Sequence, residues 1–112
     1  MLTSLSLLRL RLFSSRSILS IREALACSDK VIVDVRTSEE VARGGGCEGA
    51  VNIPLDQIPK RISELGTEKT KPIIFYCAKG IRSADAVMYA KSLGFTNVFN
   101  GVNGSELAKL LD

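Results

Sequence analysis

Two continuous apolar runs dominate the 112-residue chain: Val31-Ile32-Val33-Asp34-Val35 and Pro72-Ile73-Ile74-Phe75-Tyr76. Such runs predict strands buried on both faces, as in a parallel sheet. Ala50-Val51-Asn52-Ile53, ended by Pro54, and Asn97-Val98-Phe99 predict two shorter strands, and Ser17–Leu19 a further one. Between them the pattern turns helical. Ser20-Ile21-Arg22-Glu23 and Thr37-Ser38-Glu39-Glu40 are capping boxes. In each, a hydroxyl and the glutamate three residues on satisfy each other's backbone N–H groups. They open short helices over 20–27 and toward Arg43. Residues 56–65 predict a helix with Pro59 in its first turn, where a missing N–H costs little, and Gly66 as its stop. Residues 82–93 predict the longest helix, with Ala84, Val87 and Met88 on its apolar face. Residues 105–111 predict a closing helix.

Strands alternating with helices predict a single α/β domain. We expect a three-layer fold, with a mostly parallel central sheet of about five strands and helices on both faces. Ligands bind such sheets at the carboxyl ends of the strands. That edge would gather Asp34-Val35-Arg36 and Tyr76-Cys77.

Charge separates the first residues from the rest. The formal charge is +3, but Arg9, Arg11, Arg16 and Arg22 precede any acid, and the remaining chain is nearly balanced. The basic footprint of a nucleic-acid binder is therefore absent from the domain. The segment 1–16 is rich in Leu, Ser and Arg and free of acids, the composition of an organelle transit peptide. Arg9 and Arg11 interrupt the apolar stretch a secretory signal requires, and a transmembrane helix would need about 20 apolar residues. Arg11-Leu12-Phe13-Ser14-Ser15 resembles a mitochondrial processing site. We expect mitochondrial import of a domain spanning 17–112, with plastid import or a cytoplasmic location as alternatives, and no stable membrane insertion.

The cysteines narrow the chemistry. Cys27, Cys47 and Cys77 are odd in number and contain no close pair, unlike a secreted disulfide framework. The chain has no histidine, which excludes Ser-His-Asp and Cys-His catalysis and any His-ligated zinc. No metal or cofactor is expected. Cys77 lies between a buried strand and a helix start, followed by Ala78-Lys79-Gly80-Ile81-Arg82-Ser83. Gly80 frees the backbone to curl, and a curled run of N–H groups forms an anion nest. The helix dipole, Lys79 and Arg82 add positive potential, and together these favour thiolate over thiol. A structural cysteine, the plainer alternative, would need neither the glycine nor the two cations.

Four segments carry a resemblance: Val31–Arg36, Gly49-Ala50-Val51-Asn52-Ile53-Pro54, Cys77–Ser83, and Leu93-Gly94-Phe95-Thr96-Asn97-Val98. In this order they resemble a single-domain rhodanese, a thiosulfate sulfurtransferase-like domain. The resemblance implies that Cys77 takes a sulfane sulfur from a small anionic donor such as thiosulfate and becomes a persulfide. It implies that the backbone of Ala78, Lys79, Gly80, Ile81, Arg82 and Ser83 holds the outer sulfur and the donor. Arg82 would turn inward, and Lys79 would draw the anion, both favouring thiosulfate over mercaptopyruvate. The sulfur would then pass to cyanide, a thiol or a protein cysteine. Asp34 and Arg36 match the family's Asp-x-Arg and are expected to brace the strand end.

The chain departs from the family pattern at Gly45-Gly46-Cys47-Glu48, where a histidine is usual. We expect that segment to enter its strand away from the site, with Cys47 an incidental thiol. Two rival functions remain at this point. A cysteine phosphatase or arsenate reductase uses a similar loop, but with one residue more between cysteine and arginine. A persulfide carrier or binding module without free-standing turnover would share every feature named.

Overall fold

The computed structural model describes residues 16–111. The proposed transit segment, up to residue 15, lies outside them. Among the described residues five α-helices and four strands alternate: α1 (Ile21–Ala26), β1 (Val31–Asp34), α2 (Ser38–Ala42), β2 (Val51–Asn52), α3 (Ile58–Arg61), β3 (Ile73–Cys77), α4 (Ile81–Ser92), β4 (Val98–Asn103) and α5 (Gly104–Leu111). The strands form one parallel sheet in the order β2-β1-β3-β4.

Alternation along the central strands divides the core into two layers. Val33 and Val35, then Ile73, Phe75 and Cys77, face one side, against Ile58 of α3 and Ala86 and Ala90 of α4. Ile32, Ile74 and Tyr76 face the other side, against Ala24 and Leu25 of α1 and Leu107 of α5. Both capping boxes form: Ser20 with Glu23 at α1, and Thr37 with Glu40 at α2.

Three expectations are corrected. Residues 17–19 do not form a strand. The buried side chain of Asn97 ties them down instead. Leu19 N–H donates to its Oδ1 at 2.8 Å, and its Nδ2 donates to Ser17 O at 3.2 Å and Thr70 O at 3.0 Å. One amide does the work of a strand ladder, so the described sheet has four strands. Arg16 also binds the domain, through Asp29 and Glu68.

The helix expected over 56–65 is broken into a 3-10 turn (Leu55–Gln57), α3 and a second 3-10 turn (Ile62–Leu65). Pro59 has no N–H for the carbonyl of Leu55, and Ile58 N–H takes that carbonyl in the tighter i→i+3 bond. On α4 the buried face is Ser83, Ala86 and Ala90, while Met88 is 69% exposed. Small side chains let the helix lie close to the sheet, and size, not hydrophobicity, decides which face turns inward.

At its carboxyl end β4 carries one extra residue. Phe75 pairs with Asn100, but Cys77 pairs with Asn103. Within this bulge Val102 sits at φ 70°, a conformation a β-branched residue rarely adopts. Bulges re-aim nearby side chains, and this one turns Asn100 toward the loop after Cys77.

Candidate active site

β3 delivers Cys77 at the carboxyl edge of the sheet, and the chain then curls. Gly80 makes the turn at φ 92° and forms the N-cap of α4. A Cβ there would be strained by that φ and would also come within 3.3 Å of Val102 Cγ1. The curl directs N–H groups inward. Gly80 N–H donates to Cys77 Sγ at 3.1 Å, and the N–H groups of Lys79 and Ser83 also favour the thiolate.

Cys77 is buried, with only 3% of the residue exposed. Burial pushes its pKa up, but the Ser83 hydroxyl and the three N–H groups overcome this and bring it down to about 7. The dominant favourable contributions are hydrogen bonds. The inward N–H groups expected of the loop supply much of this, and the Arg82 charge acts on the thiolate beside them.

Ser83 Oγ stands 3.4 Å from Cys77 Sγ and 2.7 Å from Asn100 Oδ1. Its hydroxyl has one proton to share between them. The orientation of Asn100 is fixed, because Nδ2 donates to Gly80 O at 2.9 Å and Oδ1 accepts from Val102 N–H at 2.9 Å. With Cys77 protonated, the thiol donates to Ser83, which donates to Asn100. With Cys77 ionised, the Ser83 hydroxyl can turn to the sulfur, leaving Asn100 Oδ1 its bond from Val102. Thiolate formation thus leaves Cys77 Sγ, Ser83 Oγ and Asn100 Oδ1 each with a partner.

A pH dependence follows. The thiolate is the nucleophile, so the rate of Cys77 alkylation should rise with pH through about 7 and level off above it. Ser83→Ala removes one donor to the thiolate and should move the midpoint to roughly 8. Iodoacetamide trapping followed by peptide mass spectrometry measures both, and an unmoved midpoint would refute the role of the hydroxyl.

Cys77, Ala78, Lys79, Ile81, Arg82 and Glu40 line a pocket of about 320 Å³. Gly80 and Ser83 do not line it; they hold the sulfur itself. Lys79 is exposed. Arg82 lines the pocket but does not turn into the loop as expected. Its guanidinium grips Glu40 of α2 with two bonds, NH1–Oε1 at 2.7 Å and NH2–Oε2 at 3.0 Å. The Arg82 guanidinium holds the Glu40 carboxyl down to about 2.

Asp34 and Arg36 lie in the other layer. Arg36 Nε donates to Asp34 Oδ1 at 3.0 Å and NH2 to Oδ2 at 2.8 Å, while NH1 donates to Gly44 O at 3.0 Å. The pair anchors the glycine loop over the carboxyl edge of β1. Beside it, burial pushes the Tyr76 phenol up to about 12, and Tyr76 Oη accepts from Cys47 N–H at 2.8 Å. The segment 44–47 therefore does not stay at the amino end of β2 as expected. Its backbone is held by Arg36 and Tyr76, and a Cβ at Gly104 would come within 2.4 Å of Gly45 O. Cys27 and Cys47 are free thiols outside the pocket, and burial raises the Cys47 pKa.

Two residues of the site escape sequence reasoning. Asn100 offers one signal, a polar residue inside an apolar strand. Glu40 reads from sequence only as a helix cap. Among the described residues no cluster of His, Cys, Asp or Glu could hold a metal ion, and no helix is long and apolar enough to cross a membrane.

The model of the rhodanese-like domain matches residues 18–107. A rhodanese domain-containing protein of Drosophila melanogaster is 37% identical over 81 residues, covering 62% of this chain and 73% of that protein. A sulfurtransferase of Allochromatium vinosum is 36% identical over 72 residues, 64% of each chain, so the match spans just under two thirds of that relative. Among solved structures, a human single-domain sulfurtransferase superposes with a TM-score of 0.61 at 29% identity, covering 80% of this chain and 89% of that one. The parallel sheet, the cysteine loop and these matches agree: the chain belongs to the rhodanese family.

Proposed function

We propose that this protein is a sulfurtransferase that moves a sulfane sulfur through a persulfide on Cys77. One observation carries the reading: an ionisable thiol, held by backbone N–H groups, ends on a pocket that is open to a small anion. The Cys77 thiolate attacks the outer sulfur of a donor such as thiosulfate. The S–S bond forms at Cys77 as the donor's S–S bond breaks, and sulfite leaves with the bonding pair. A nucleophilic acceptor, a thiolate or cyanide, then takes the outer sulfur and returns Cys77 as thiolate. This is covalent catalysis in two half-reactions. The loop N–H groups bind the outer sulfur, and Lys79 draws the donor to the mouth.

A phosphatase is disfavoured by the geometry of Arg82. A phosphoryl group needs a guanidinium turned into the loop, and here it is bound to Glu40. The loop between Cys77 and Arg82 is also one residue shorter than the phosphatases use.

Intact-protein mass spectrometry after excess thiosulfate or an organic thiosulfonate tests the reading. The expected result is a gain of one sulfur atom, mapped to Cys77 and removed by cyanide. No gain, or a gain mapped to Cys27 or Cys47, would overturn it. We further propose that residues 1–16 direct the protein to mitochondria. A fluorescent protein carrying residues 1–20 should colocalise with a mitochondrial dye; a diffuse or plastid signal would reject that address.

A further inference from the structure

We infer that Glu40 is a specificity-determining residue, and that the preferred donor is a monoanionic sulfane-sulfur compound with an organic arm, not a compact dianion. The inference rests on the sulfurtransferase reading and names the donor class for that same pocket.

The charges at the mouth are Lys79 and Arg82, Glu40, and the Cys77 thiolate, which sum to about zero. Glu40 is the unusual member, a carboxylate lining a pocket that must admit an anion. It is not adventitious. Thr37 N–H and Thr37 Oγ both lie against Glu40 Oε1, at 3.1 and 3.2 Å, so α2 fixes the carboxylate while Arg82 grips it. A two-bond guanidinium–carboxylate pair is among the more strongly directional ionic contacts, and this one is half-buried, at 35% and 28% side-chain exposure. With two of its five N–H groups on Glu40 and its charge balanced there, Arg82 offers a donor little net positive charge. Lys79 makes no salt bridge among the described residues, so it alone offers an uncommitted positive charge.

A dianion entering this mouth meets one available cation, one fixed carboxylate and the thiolate it must approach. A monoanion needs only Lys79 and the loop N–H groups. The wall also suits an organic arm: Ile81 lines the pocket and is 71% exposed. An alkyl persulfide or thiosulfonate would place its charged sulfur on the loop and its carbon chain on Ile81. The chemistry balances. The Cys77 thiolate takes the outer sulfur of R–SO2–S⁻, the S–S bond of the donor breaks, and the sulfinate R–SO2⁻ departs with the electron pair.

The test compares thiosulfate with methanethiosulfonate, which differs by one methyl in place of one anionic oxygen, in the full chain and in Glu40→Gln. Glutamine keeps the contact to Thr37 N–H while removing the charge. The kcat/KM ratio of the two donors cancels any common loss from misfolding. In the parent protein the monoanion should be favoured. In Glu40→Gln the ratio should shift toward thiosulfate by about tenfold, mainly through a lower KM for thiosulfate, the effect of one charge at a partly shielded site. A merely structural Glu40 would slow both donors alike and leave the ratio in place, which would overturn the inference. A parent preference for thiosulfate would do the same. Sulfur transfer from neither donor would instead sink the sulfurtransferase reading, and the inference with it.

Discussion

Replacing Cys77 by serine should lower sulfur transfer by at least about a thousandfold, to the background of the uncatalysed reaction. Serine keeps the size and the hydrogen-bonding capacity of the position, so the N–H of Gly80 and the Ser83 hydroxyl retain a partner. The fold should survive. What disappears is ionisation: an alcohol does not lose its proton near neutral pH, and its oxygen cannot carry a persulfide. Cyanide-dependent thiocyanate formation gives the rate, and circular dichroism checks the fold. Residual turnover within tenfold of the parent would mean that another group is the nucleophile.

The largest effect on stability is expected from Asp34→Ala. Asp34 and Arg36 are 2% and 7% exposed, and the pair is closed by several hydrogen bonds. Deleting the carboxylate leaves a guanidinium buried with only Gly44 O and solvent-starved surroundings. Breaking a buried pair in this way costs about 3–5 kcal/mol, a large share of the 5–15 kcal/mol typical of a domain. The double variant Asp34→Ala, Arg36→Met should recover part of the loss, because no charge is then stranded. Urea denaturation measures both. A single variant within about 1 kcal/mol of the parent would show that the pair contributes little.

What the sequence discloses here is set by distance along the chain. The Cys77 loop is legible because every part of it lies within seven residues: a strand end, a glycine for the left-handed turn, a helix start. The two capping boxes are legible for the same reason. Asn100 and Glu40 are not, since they reach the loop from 17 and 42 residues away and have independent local explanations. The buried face of α4 is not legible, because apolar character predicts burial only when space allows, and the sheet admits Ser83, Ala86 and Ala90 but not Met88. The missing strand at 17–19 shows the converse. A segment of strand-like composition can be held by a single side-chain amide, and no local pattern announces which.

The alternation along β3 has one more consequence. Tyr76 and Cys77 are adjacent, yet one serves the Arg36 layer and the other the pocket. A shift of the strand by a single position would exchange them, offering a phenol to the donor and burying the thiol beside Arg36. Adding or deleting one residue between Ile73 and Cys77 should therefore silence the protein outright. The same change at exposed Thr67, ahead of the strand, should leave the register of β3 and the aim of Cys77 in place, because it falls before the first paired residue.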